Sequence, residues 1–188
     1  MGRYVALLRG INVGGNNLIK MVALKACFEA QGFRDVATYL QSGNVVFTAG
    51  AQGAANLTER VEAALCATFK YPATVVVRSR KQIQDVVTRA PRGFGTQPAR
   101  YRYDVIFLKP PLSASGAIKN FPIKPGVDEA HAGTGVLYVS RLISKASQSR
   151  ISKIVTLPIY PNVTIRNWNT TSAVLRLMMD APPGSDET

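Results

Sequence analysis

At 188 residues the chain fits one large domain or two small ones, since domains run about 100 to 200 residues, and its 46% apolar content can build a core without disulfide or metal staples. Charge is the outlier: 23 Lys and Arg against 11 Asp and Glu give +12, which suits either a polyanionic partner or a solvated, solubilising surface. No stretch approaches the roughly 20 apolar residues of a membrane span, the apolar run after Met1-Gly2-Arg3-Tyr4 is shorter than the about 7 to 15 residues of a signal-peptide core, and Ala6 stands where a myristoylation signal wants Ser or Thr, so a soluble cytoplasmic protein without a membrane partner is expected.

The first predicted strand, Arg3 to Arg9, is rich in Val, Leu and Tyr but alternates poorly, as suits burial on both faces. Gly10-Ile11-Asn12-Val13-Gly14-Gly15-Asn16-Asn17 follows as a loop. Met21, Leu24, Cys27 and Phe28 then recur at helical spacing, and Gly32 with Phe33 closes that helix in the manner of a Schellman stop. Val36 to Gln41 and Val45 to Thr48 read as short strands joined by Ser42-Gly43-Asn44, which is hairpin chemistry. Asn56 and Glu59 form a capping-box pair ahead of Leu57, Val61, Ala64, Leu65 and Phe69. A strand over Thr74 to Arg78 precedes a second capping box, Ser79 with Gln82, and a third helix that Pro91 ends. Cys27 and Cys66 both fall in helical stretches and read as small buried hydrophobes of a reducing compartment.

Pro91 to Ala99, with two glycines and two prolines, is the clearest linker. The same order then restarts: a strand at Arg102 to Lys109, a short helix from Ser113 to Lys119, paired strands around Ala130 to Ala132 and Val136 to Arg141, a basic helix near Ser147 to Val155, a strand from Val163 to Trp168 and a last helix from Thr170 to Met179. Ser42-Gly43-Asn44-Val45-Val46-Phe47 answers Gly133-Thr134-Gly135-Val136-Leu137-Tyr138, and Val76-Val77-Arg78-Ser79 answers Thr164-Ile165-Arg166-Asn167, at offsets of about 90 residues. The expected architecture is therefore α+β: a duplicated ferredoxin-like unit, strand-helix-hairpin-helix-strand plus helix, twice, with antiparallel sheets covered by helices. The expected divisions are a first repeat over 1–90, a linker over 91–101, a second repeat over 102–180 and a disordered tail over 181–188.

In such a unit the first crossover is right-handed, which brings the end of the first strand to the same sheet edge as the hairpin turn. Arg9, Asn12, Gln41, Ser42 and Asn44 should gather there around Gly10, Gly14, Gly15 and Gly43. Open backbone N–H groups beside Arg and amides suit an anion or the polar edges of a base or sugar. The alternative is architectural: Asn12 and Asn44 accept positive φ and cap turns while Arg9 pairs with an acid. Arg166-Asn167-Trp168-Asn169-Thr170 is the second polar and aromatic concentration, in which Asn169 or Thr170 caps the last helix, Trp168 plugs the gap between halves, and Arg166 and Asn167 are left for a ligand.

Familiar catalytic sets are missing from the sequence. His131 is the sole histidine and lacks a Cys or second His to make a metal site, no Gly-x-Ser-x-Gly or HExxH sequence occurs, and Asp128-Glu129 on a strand would face opposite ways. No cofactor and no metal are expected.

At Leu7-Leu8-Arg9-Gly10-Ile11-Asn12-Val13-Gly14-Gly15, Tyr39-Leu40-Gln41-Ser42-Gly43-Asn44-Val45-Val46-Phe47 and Thr164-Ile165-Arg166-Asn167-Trp168-Asn169-Thr170, the chain resembles the bacterial domain-of-unknown-function family numbered 1697, over about residues 3 to 179. The resemblance implies two ferredoxin-like repeats, with no established activity, cofactor or catalytic residue. Ser144 to Tyr160, with Lys145, Ser149, Arg150 and Lys153, shares the likeness; Asn16-Asn17 departs from it, standing where a lysine-bearing loop is expected.

Two readings of function follow. One is a protein that binds nucleic acid or a nucleotide through a basic surface and the polar glycine-rich sheet edge, with Arg9, Asn12, Gly14, Gly15, Gln41, Ser42, Asn44, Arg166, Asn167 and Trp168 as ligand-binding residues. The other is an enzyme acting without metal on a small phosphorylated or carboxylated metabolite, which wants a closed pocket. A monomer or weak homodimer is expected in either case.

Overall fold

The computed structural model describes residues 1–12, 18–50, 53–70 and 72–180; Gly14, Gly15, Asn16, Asn17 and the expected tail at 181–188 lie outside the described residues. Backbone contacts group the chain into two compact units, Met1–Gln84 with Ala173–Thr188, and Asp85–Ser172. The first four strands are β1 (Gly2–Leu8), β2 (Arg34–Tyr39), β3 (Asn44–Ala49) and β4 (Val75–Ser79), interleaved with α1 (Met21–Glu29) and α2 (Gly53–Phe69) and followed by α3 (Arg80–Thr88). They form an antiparallel sheet in the order β2-β3-β1-β4. The second series is β5 (Tyr101–Leu108), α4 (Ala114–Lys119), β6 (Asp128–Gly133), β7 (Val136–Leu142), β8 (Val163–Asn167) and α5 (Trp168–Met179), with the sheet order β6-β7-β5-β8. The two orders are the same, which is the duplication expected from the sequence echoes.

Every residue of β1 from Tyr4 to Leu8 is buried, so the strand has no polar face to alternate with. Tyr4, Ala6 and Leu8 join Val45, Phe47, Val75 and Val77 in a core with Leu24 and Phe28 of α1 and Leu57, Val61 and Leu65 of α2. Phe33, just past the α1 stop, packs its ring 4.5 Å from Phe47 and 5.9 Å from Phe28. Burying such a side chain contributes about 1.5–3 kcal/mol, and Gly32 at φ +74° lets the chain turn back to deliver it. The capping box read at α3 is present in both directions: Ser79 N donates to Gln82 Oε1 at 2.9 Å and Gln82 N to Ser79 Oγ at 3.3 Å.

The repeats also share loop bonds. Leu8 N donates to Gly43 O as Leu108 N does to Gly135 O, and Arg9 N donates to Thr74 O as Lys109 N does to Asn162 O. Within the second unit, the Tyr138 hydroxyl donates to Val86 O of α3 at 2.7 Å, and burial pushes that phenol above its ordinary pKa.

Three expectations are corrected. Helix α2 opens at Gly53, so Asn56 lies inside it and the Asn56–Glu59 pair is not its capping box. The basic helix near Ser147 to Val155 is instead a pair of 3-10 segments, Ile143–Gln148 and Ile151–Thr156. Ser149 between them is extended, and Arg150 N is drawn to Asp128 Oδ2 at 2.8 Å rather than into a helical ladder. Cys66 is exposed, because α2 turns Leu57, Val61, Ala64 and Leu65 to the core and leaves Cys66 on its outer side; Cys27 is buried as expected. No helix among the described residues is long and apolar enough to cross a membrane.

Candidate functional site

In the first unit the loop after β1 and the β2–β3 turn meet through Asn12. Its Nδ2 donates to Gln41 O at 2.9 Å and to Ile19 O at 3.0 Å, while its Oδ1 accepts from Ile19 N at 2.8 Å. Asn12 stands at φ 53°, in the left-handed region that asparagine tolerates. Asn44 is fully buried at the start of β3, with its Nδ2 donating to Tyr39 O and Ser42 Oγ. Both amides thus serve the loop itself, while Gln41 and Ser42 are exposed and Arg9 is half-buried. Gly43, at φ +76°, has no room for a side chain: a Cβ would lie 2.8 Å from both Ile11 Cδ1 and Leu8 Cβ.

The other predicted group, in the second unit, divides. Arg166 is buried and hydrogen-bonds through Nη1 to Thr164 Oγ1 and Ile165 O, both at 2.8 Å. Burial pushes its pKa down to about 10, and Arg78, its counterpart in the first repeat, is likewise pushed down to about 10. Asn167 lies on the opposite face of β8 and is exposed. It, rather than Asn169 or Thr170, caps α5: its Oδ1 accepts from Thr170 N at 2.7 Å. Helix α5 consequently opens at Trp168, two residues earlier than expected.

This early exit opens a site. Strand β7 pairs with β5 from Tyr101 onward, but β8 pairs with it only from Asp104 to Leu108. Tyr101–Tyr103 therefore has no strand on its β8 side among the described residues. Where β8 would have continued there is a cavity of about 480 Å³, lined among others by Tyr101, Arg102, Tyr103, Arg141, Asn167 and Trp168. That volume is within the range of about 300–1,000 Å³ usual for ligand sites.

Arg102 and Arg141 are directly opposite in the β5–β7 register, so their side chains share one face, the opposite one from Tyr101 and Tyr103, and the cavity at the uncovered margin of β5 is lined from both faces. Asp104 Oδ2 accepts from Arg102 Nε at 2.9 Å and steadies that guanidinium, whereas the Arg141 side chain has no ion pair or hydrogen bond among the described residues. Neither Asp104 nor Asp128, which flanks Arg141 on β6, lines the cavity. Trp168 is half-buried; Phe94 meets it edge-on at 5.2 Å and 90°, and Phe94 also meets Tyr103 at 4.9 Å and Tyr138 at 5.3 Å. Gly95 sits against the indole so closely that a Cβ would stand 2.2 Å from Trp168 Nε1. The arrangement offers two cations, the amide side chains of Asn167 and Asn169 and aromatic faces, which together suit an anionic group attached to a flat ring.

Residues 1–138 match the family described as "Protein of unknown function (DUF1697)". The chain belongs to the DUF1697 family. Among solved structures, this DUF1697 chain is similar to the conserved bacterial protein SP0830 from Streptococcus pneumoniae, with a TM-score of 0.80 at 23% identity over 94% of this chain and 98% of that one. Likeness at that identity shows a common fold. No curated protein matches the DUF1697 chain.

Sequence reasoning on this DUF1697 chain reached Asn167 and Trp168 but missed Tyr101, Tyr103, Arg102, Arg141 and Phe94. The available signal was the Tyr101-x-Tyr103 alternation, which places both rings on one face of a strand. Phe94, inside a glycine- and proline-rich linker, carried no periodicity. Among the described residues no group of three His, Cys, Asp or Glu could hold a metal; His131 lies 4.0 Å from Glu129 on exposed β6.

Proposed function

We propose that this protein binds nucleic acid or a nucleotide through the basic, aromatic cavity at the short end of β8. The observation that carries the reading is the in-register pair Arg102 and Arg141 beside Tyr101, Tyr103 and Trp168. Guanidinium groups grip phosphate by paired N–H donors, and aromatic rings stack bases without regard to sequence. The net charge of +12 speeds the encounter with a polyanion. In this reading Asn167 and Trp168 contact the ligand directly, while Arg166 supports β8 from its buried face. The first-unit edge, with Arg9, Gln41 and Ser42, supplies a second polar surface, held in shape by Asn12 and Asn44. An enzyme for a small metabolite would want an enclosed pocket; a cavity open to solvent favours a binding protein.

The test is titration of the Trp168 fluorescence, since Trp168 is the only tryptophan, with single-stranded oligonucleotides at low salt. Saturable quenching that weakens as salt rises is the expected result. Absence of quenching, together with no shift of single or double strands in a gel, would overturn the reading.

A further inference from the structure

The cavity at Trp168 does not end at the tyrosines. A second hollow, of about 210 Å³, lies along the same strand and shares Tyr101 and Tyr103 with the first. Its remaining walls come from the Pro91–Gln97 turn, including Arg92 and Phe94, and from Glu129, His131 and Ser140 of β6 and β7. The two tyrosine rings, 6.0 Å apart, therefore stand between two open hollows rather than at the back of one. The Arg100 guanidinium lies 5.2 Å from the Tyr101 ring centre and adds a further flat surface at this divide.

The hollows differ in charge and size. The larger carries Arg102 and Arg141 and no acid. The smaller sets Arg92 against Glu129, beside polar Thr96, Gln97 and Ser140. A phosphate fits the first, whereas an uncharged ring with hydrogen-bonding edges fits the second, where a carboxylate would repel a phosphate but can accept from a base amino group. At about 210 Å³ the smaller hollow is below the usual ligand-site volume and suits one ring system. A ligand filling both must be long enough to pass the tyrosine divide, with an anionic link in the larger hollow and a ring in each.

We infer that the ligand is a single strand of two or more nucleotides that straddles Tyr101 and Tyr103, one base in each hollow and the linking phosphate at Arg102 and Arg141. This rests on the nucleic-acid reading above and narrows it, excluding a lone mononucleotide and a stacked duplex. Bases in a duplex are paired and cannot be parted around a side chain, whereas a single strand splays its bases onto aromatic rings.

The experiment compares nucleoside monophosphates, dinucleotides, short single strands of DNA and of RNA, and a duplex, each titrated against the full chain by Trp168 fluorescence. The dinucleotide should bind at least about ten times more tightly than the monophosphate, and the duplex more weakly than either single strand. Tyr101→Ala should weaken dinucleotide binding roughly 5- to 150-fold. Arg92→Gln, an exposed change in the smaller hollow alone, should weaken the dinucleotide while leaving the monophosphate unchanged. Equal affinities for mono- and dinucleotide, both insensitive to Arg92→Gln, would overturn the two-hollow inference while the nucleotide reading stands. Failure of every nucleotide to quench Trp168 would overturn both. RNA binding more tightly than DNA of the same sequence identifies the 2′-hydroxyl as a contact and supports the splayed strand.

Discussion

Arg141 faces Arg102 across the β5–β7 ladder, and only Arg102 has a carboxylate bonded to it. The uncommitted guanidinium is thus the one best placed to exchange a counterion for a phosphate. Arg141→Gln is expected to weaken single-strand binding about equally for all sequences and to reduce the slope of log K against log salt by about 0.7, the contribution of one phosphate contact. A fluorescence titration across a salt series measures it, and an unchanged slope would remove Arg141 from the contact.

Gly95→Ala sets a methyl group against the indole of Trp168 at a backbone φ of +84°. Both effects oppose folding, so a loss of about 2 kcal/mol is expected, with an altered Trp168 emission maximum because the ring must shift. Urea unfolding followed by far-ultraviolet circular dichroism gives the first quantity independently of the fluorescence that gives the second.

Asn12→Ala removes three hydrogen bonds at once and places alanine at φ 53°. A destabilisation of about 2–3 kcal/mol is expected, seen as a lower urea midpoint. Asn12→Gly, which relieves φ but not the lost bonds, should fall between wild type and alanine. If it equals alanine, the backbone contributes nothing.

Arg166→Met tests the buried cation. Burial pushes its folded pKa down to about 10, below the ordinary guanidinium range, so the unfolded chain binds the proton more tightly and stability rises with pH above that value. The cost is fully present at neutral pH and declines above pH 10. Relative to Arg166→Met, wild type should therefore gain about 1 kcal/mol between pH 9 and pH 11, measured by urea unfolding at each pH. A constant difference would mean that the guanidinium is not desolvated.

The fold was legible because each repeat carries its own punctuation. Gly32 with Phe33, Ser79 with Gln82 and Gly43 in the hairpin are local signals whose geometry does not depend on the rest of the chain, and each occurs as read. The 3-10 stretch from Ile143 to Thr156 was misread as helix because its conformation is set at a distance: Asp128, 22 residues before Arg150, accepts that residue's N–H and also Lys124 N. The meeting of Asn12 with Gln41 followed from crossover handedness, yet composition could not say that the amide would be spent on backbone carbonyls. The cavity was hidden for a similar reason, since it depends on Asn167 capping α5 and so ending β8 before β5 ends. No window of sequence contains both facts.

That early stop has a cost for an unliganded molecule. Tyr101–Tyr103 has no strand on that side, and apart from the Tyr101 N–H, held by Gln97 O at 2.9 Å, it is the kind of place where a strand from a neighbouring copy can zip in. Arginines on and beside such a margin act as gatekeepers, their like charges opposing the approach of a second copy.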